Sequence, residues 1–425
     1  MTPAIKCLIL LAIVALLFVT EMIPLAMTAI GASVACYALG LVPENQIFLG
    51  LADSTVVLFG GMFVVGAAMF YTGLAQKIGG GVVRMFGKGE NSLMFGIMII
   101  AALMSAVLSN TGTTACLIPV VMGICANAKI SASRELMPLA FAAGLGGTIT
   151  LIGTPPNILA NVALKAAGMP ELQFGFFEYA WIGIPITIAG IVYMMFIGKY
   201  LLPKDSGTLN LEIDEEILEN ETSTQKQIIC GIIMVGVIGS MATGIVPLEI
   251  AAVVGAVIAV LTGCLTEKQA YNSIDWVTIF LFAGMIPVAT AMNTSGAGKL
   301  IAEATVKMLG GDPSPYMVTA VLFGLAVVLT QFMSNTASKA LLCPVGIALS
   351  AQMGASPKAV LMAILIASSC AFASPVGTPP NTLVLGPGGY KFMDYLKAGT
   401  GLVAVCLIVS IIVIPIVWPF FPVSA

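Results

Sequence analysis

The chain reads as a succession of long apolar stretches, such as Ile5 to Val19, Val56 to Phe70 and Leu402 to Phe421, parted by brief polar breaks. Each approaches the roughly 20 apolar residues that a bilayer-crossing helix needs, and they recur from end to end. Backbone groups in lipid must find partners within their own segment, so the pattern predicts an all-α membrane protein. Spans are expected near 4–20, 24–42, 53–75, 136–166 and 178–201, and again near 228–246, 249–266, 276–296, 357–388 and 398–421. The first stretch has one lysine and no small-residue cleavage site, and it continues into Glu21 to Pro24 and another span. It is read as a helix and not as a signal peptide.

Two further apolar regions, 92–127 and 316–352, depart from this pattern. Each has two arms of about 16 residues, too short to cross comfortably, which meet at a polar point as a re-entrant hairpin does. Those polar points belong to an internal repeat. Ser109-Asn110-Thr111 recurs as Ser334-Asn335-Thr336 at an offset of 225, and Gly153 to Asn157 (GTPPN) recurs as Gly377 to Asn381 at an offset of 224. Pro119 matches Pro344, and Asp53 to Met62 with Gly73 parallels Asp275 to Met285 with Gly296. A repeat this long implies duplication of a membrane domain, residues 1–202 and 228–425, around a joining segment at 203–227. Five crossings per unit is an odd number, so the second copy is expected to enter from the opposite side and give two inverted-topology repeats.

Composition narrows the function. With 59% hydrophobic and 9% charged residues, a soluble fold is excluded. Histidine is absent, and nine cysteines are scattered through apolar segments without CxxC pairing. Hydrolytic or redox catalysis, a disulfide framework and a cofactor are therefore not expected, nor is a nucleic-acid partner. The joining segment carries Asp205, Glu212, Asp214, Glu215, Glu216, Glu219 and Glu221 and reads as a solvated linker. If it is cytoplasmic, Lys77, Arg84, Lys88, Lys129, Arg134, Lys199, Lys204, Lys226, Lys268, Lys391 and Lys397 fall inside. Only Lys6, Lys165, Lys299, Lys307 and Lys358 fall outside, as the positive-inside rule requires of an inner (plasma) membrane protein.

Polar, proline-broken backbone at membrane depth is costly unless it lines a cavity, and the repeat supplies four such breaks. In GTPPN the consecutive prolines remove two donors and stop the helix, which frees carbonyls for a cation and a threonine hydroxyl for an anion. Each Ser-Asn-Thr starts a helix, whose unpaired amides and positive dipole end suit an anion without arginine. Matched spacings of 44 and 43 residues between the paired motifs favour a binding site over ordinary caps and kinks.

The paired Ser-Asn-Thr hairpins, the paired GTPPN segments and the early Thr20, Glu21, Pro24, Thr28 pattern resemble the divalent anion/sodium symporter family over nearly the whole chain. The resemblance implies an elevator mechanism, in which a mobile domain bearing the hairpins slides against a scaffold that forms a homodimer. It also implies a small anionic substrate, a dicarboxylate such as succinate, a tricarboxylate or sulfate, commonly coupled to sodium. Carried over by motif, the anion would meet Asn110, Thr111, Thr154, Asn335, Thr336, Thr378 and Pro379. One sodium would sit among Ser105, Ser109, Asn110 and Gly153, and its mate among Thr330, Met333, Asn335 and Gly377. The sequence departs from the family at Lys339, where the first copy has Thr114. That lysine is expected either to replace the second sodium or to touch the substrate. Glu21 is read as a cap or anchor, Trp181, Trp276 and Trp418 as interface anchors, and Gly79 to Gly81 as a flexible break before a short arm with Arg84 and Lys88. Competing functions are exchange without sodium, transport of sulfate, citrate or tartrate, and ion antiport.

Overall fold

A computed structural model of the chain describes residues 1–85, 89–203, 223–308 and 314–421, with the side chains of 82–85 excepted. Most of the expected linker, with all its acidic residues and Lys204, lies outside the described residues, as do Lys88 and the Arg84 side chain. Among the described residues there are helices and no strands. The first half runs α1 (Pro3–Thr20), α2 (Leu25–Ala38), α3 (Ser54–Tyr71), α4 (Leu74–Met85), α5 (Glu90–Ser105), α6 (Asn110–Ala128), α7 (Leu136–Gly146), α8 (Leu159–Ala166) and α9 (Ala180–Phe196). The second runs α10 (Thr224–Thr243), α11 (Leu248–Leu261), α12 (Glu267–Ser273), α13 (Trp276–Thr294), α14 (Ala297–Met308), α15 (Pro315–Thr330), α16 (Asn335–Gln352), α17 (Pro357–Ala367), α18 (Pro379–Leu385) and α19 (Phe392–Val417). Six of the helices are long and apolar enough to cross a membrane.

The hairpins and the broken segments recur in both halves. The hairpin arms α5 and α6 answer to α15 and α16, and each pair turns over four residues between its helices, 106–109 and 331–334. The turn sits there because Ser109 and Ser334 cap the second arm: their hydroxyls accept from Gly112 N at 3.1 Å and Ala337 N at 3.2 Å. The broken spans part into α7 with α8 and α17 with α18, because GTPPN cannot continue a helix.

Three expectations are corrected. The glycine run is no break: α4 passes straight through Gly79 to Gly81, and a Cβ on Gly79 would strike Leu117 of α6, so the small residue permits close packing. The linker ends earlier than 227, because α10 starts at Thr224. Trp418 is buried and its Nε1 donates to Glu178 Oε1 at 2.7 Å, whereas Trp181 and Trp276 are exposed as anchors should be. The short helices α4, α12 and α14 were not anticipated.

The helices segregate into two packed groups. One comprises α1, α2, α3, α10, α11 and α13, and the other α5 to α9 with α15 to α19. Helix α13 of the first group meets α8 and α16 of the second, and α4 and α14 lie against both groups. An ion pair also crosses between them, Lys165 Nζ of α8 to Asp53 Oδ2 at the start of α3, at 2.7 Å. Glu21 closes α1 in a left-handed conformation (φ 48°), its N–H bonded to Leu17 O, in keeping with a cap.

Candidate functional site

Each half builds the same fixture from its GTPPN. Thr154 and Thr378 are extended, and the chain between the broken helices has no ladder to satisfy its carbonyls. The motif asparagines supply the missing donors. Asn157 Nδ2 bonds Gly147 O and Thr150 O, both at 3.0 Å, and Asn381 Nδ2 bonds Ala371 O at 2.8 Å and Ser374 O at 2.9 Å. A tyrosine hydroxyl then fixes each asparagine's own carbonyl, Tyr179 on Asn157 at 2.8 Å and Tyr395 on Asn381 at 2.7 Å.

The hairpin tips are braced in parallel fashion. Ser105 Oγ lies 2.6 Å from the Asn110 side-chain amide, and Thr330 Oγ1 lies 2.7 Å from Asn335 Oδ1. Both tips and both breaks face one cavity of about 580 Å³. Ser109, Asn110, Thr111 and Thr154 enter it from the first half, and Ser334, Asn335, Thr336, Gly377, Thr378 and Pro379 from the second. The helix starts of α6 and α16 thus bring free amides and two positive dipole ends to its wall. All seven residues expected at the anion from the two motifs are gathered there.

Lys339 is not among the lining residues. It lies behind the wall, fully buried, and Nζ donates to Asn157 Oδ1 at 2.9 Å and Ser369 Oγ at 2.8 Å. Direct contact with a substrate is therefore corrected to a bridge from α16 to the first half's broken segment. Neither does its ammonium bond any member of the second expected sodium set.

Of the first expected sodium set, Ser105, Asn110 and Gly153 come together with Ala143 O beside them, while Ser109 caps α6. One terminal atom of the Asn110 amide lies 2.6 Å from Ser105 Oγ, 3.2 Å from Ala143 O and 3.3 Å from Gly153 O. As nitrogen that atom donates to all three; as oxygen it completes a cluster of hard ligands that a monovalent cation would hold together. Gly147 has to be glycine here, since a Cβ would run into the same amide. In the second half Thr330 Oγ1 lies 2.7 Å from both Asn335 Oδ1 and Ser368 O, with one proton to share between them, and Gly377 packs over Thr330 O. Met333 lines a second cavity of about 630 Å³, with Ser334, Gly377 and Glu21, on another side of the tip.

The opposite wall of the first cavity went unrecognised in the sequence. Asn272, Ser273, Asp275 and Thr278 line it from α12 and α13. Asp275 spends its carboxylate on the start of α13, accepting from Thr278 N at 3.2 Å and Thr278 Oγ1 at 2.5 Å. Its only signal was its place in the repeat opposite Asp53. The bracing tyrosines were missed because they follow their asparagines at unequal distances, 22 and 14 residues.

Comparison with known proteins agrees with this arrangement. The profile of the citrate transporter family matches residues 15–342 and 332–423. An uncharacterized transporter of Haemophilus influenzae is 31% identical over 419 residues, 94% of this chain and 89% of that protein. The sodium-dependent high-affinity dicarboxylate transporter 3 of Caenorhabditis elegans is 26% identical over 466 residues, 96% of this chain and 82% of its own. The crystal structure of the Alcanivorax borkumensis YdaH transporter shares the fold, with a TM-score of 0.64 at 18% identity over 99% of this chain and 100% of that one. The chain is a multi-pass membrane transporter, not an enzyme, and belongs to the citrate transporter family.

Proposed function

We propose that the protein is a secondary active transporter that carries a C4-dicarboxylate such as succinate across the inner membrane, coupled to sodium. The observation that carries this reading is the single cavity onto which both Ser-Asn-Thr tips and both GTPPN breaks open. Two helix starts and paired hydroxyl and amide donors suit two carboxylates, and the oxygen cluster at Asn110 suits a cation that offsets their charge in low dielectric. The name of the Caenorhabditis elegans relative points the same way.

In this reading the halves are inverted repeats, α5 to α9 with α15 to α19 form the mobile part of an elevator, and the remaining group is the scaffold of a homodimer. Segregation of the helices into two groups supports it. The segment 203–227 would then be cytoplasmic and both termini external.

Uptake of labelled succinate into proteoliposomes, with and without an inward sodium gradient and against unlabelled citrate, tartrate and sulfate, tests the proposal. Saturable, sodium-driven uptake competed best by C4-dicarboxylates is expected. Preference for citrate or sulfate would replace the substrate, and uptake indifferent to sodium would make the protein an exchanger or a differently coupled permease.

A further inference from the structure

Helix α16 carries Lys339 where α6 carries Thr114. The exchange is not conservative in any physical sense: a small hydroxyl gives way to a fixed positive charge at the centre of a membrane bundle. Thr114 turns inward on its own helix, its Oγ1 donating to Asn110 O at 2.9 Å. Lys339 instead reaches out of its half to Asn157 and Ser369. Both partners are neutral, and among the described residues no carboxylate pairs with the ammonium. A buried charge in that state is expensive to keep, so it should oppose another positive charge nearby and favour a negative one.

Its neighbourhood says which charges those are. Ser369 follows Ser368, whose carbonyl oxygen lies 2.7 Å from Thr330 Oγ1, and that hydroxyl oxygen is also 2.7 Å from Asn335 Oδ1. The ammonium therefore stands beside the second half's oxygen set without entering it. At the first half's set, the matching place is held by uncharged Thr114. The residue one turn behind the tip asparagine is thus charged at the second set and uncharged at the first, while an anion at the hairpin tips is attracted by both the fixed and the mobile charge.

We propose that Lys339 is a tethered cation: its ammonium supplies the positive charge that a second sodium would bring and keeps that sodium out, leaving one mobile sodium per chain, at the Asn110 set. The inference rests on the sodium-coupled reading above and deepens it to a stoichiometry. The bridge to Asn157 fixes where the charge sits.

The test is the sodium dependence of initial succinate uptake in proteoliposomes for the wild type, Lys339→Thr and Ser369→Ala. The wild type should give a Hill coefficient of about 1, and Lys339→Thr, which copies the first half, should raise it to about 2. Ser369→Ala keeps the ammonium and its bond to Asn157, and should stay at about 1. A Lys339→Thr protein that elutes as a single folded species, transports, and keeps the wild-type coefficient overturns the proposal. Should that variant not fold, binding of radioactive sodium to the purified wild type decides: about one site per chain upholds the proposal and about two overturn it. One bound sodium without succinate uptake removes only the assigned substrate. No sodium binding at all removes both this inference and the sodium-coupled reading.

Discussion

The two broken segments are built on one plan and completed differently. Asn157 and Asn381 each tie down two carbonyls and are each held by a tyrosine. Yet Asn157 Oδ1 receives the Lys339 ammonium, while Asn381 Oδ1, fully buried, has no hydrogen-bond partner among the described residues. Two segments of the same motif can thus keep the same backbone hydrogen bonds and still differ in charge. What is shared reads as architecture, and what differs reads as function.

The comparison breaks most visibly at those asparagines. Asn381→Leu should strand two carbonyls and cost about 2 kcal/mol. Asn157→Leu should strand the same pair and also deprive a buried ammonium of a partner, for a loss of about 4 kcal/mol. Thermal unfolding of both variants in detergent checks this; equal losses would mean that the lysine bridge contributes nothing.

A second asymmetry lies one helix upstream. Ser356 precedes α17 and caps it, whereas Glu135 precedes α7 in the matching place, buried, with both carboxyl oxygens unpartnered. Burial, and then the Glu90 carboxylate, push the Glu135 carboxyl up to about 8, with Arg134 pulling weakly the other way. A carboxyl raised in the folded state holds its proton longer there than in the unfolded chain. Stability from this residue is therefore full at low pH and is lost as pH climbs from about 4.5 to about 8. Glu135→Gln should flatten that decline in unfolding temperature, and a slope unchanged from the wild type would refute the assignment.

The bracing tyrosines sharpen the comparison by what they leave equal. Tyr179→Phe and Tyr395→Phe each remove one hydrogen bond to an asparagine carbonyl, for about 1 kcal/mol apiece. A clear difference between the two would show that the braces are not equivalent.

The hairpins were legible in the sequence almost to the residue, 92–127 against α5 and α6 and 316–352 against α15 and α16, because lipid tolerates a polar tip between two short apolar arms only where the chain turns back inside protein. The cavity lining from Asn110 to Thr378 was legible because duplication printed each motif twice. Three things were not. Helices α4 and α14 mix apolar residues with Gly and Lys and lack the continuous hydrophobicity of a span. The Lys339 to Asn157 bond joins residues 182 positions apart, which no local pattern encodes. Asp275 showed only its place in the repeat opposite Asp53, and nothing in its surroundings announced that it caps α13 and borders the cavity.

Helices α4 and α14 would join the two parts of the elevator proposed above. Each is a rod of 12 residues lying against both helix groups. At 1.5 Å per residue such a rod is about 18 Å long. If the hairpin-bearing group moves as in the elevator proposed above, these two rods would be its connecting arms, and one tilting from level to upright would carry its far end by about its own length, less than the roughly 30 Å thickness of the hydrocarbon layer. The cargo would then be lifted across only the middle of the bilayer, with water-filled vestibules covering the remaining depth on either side.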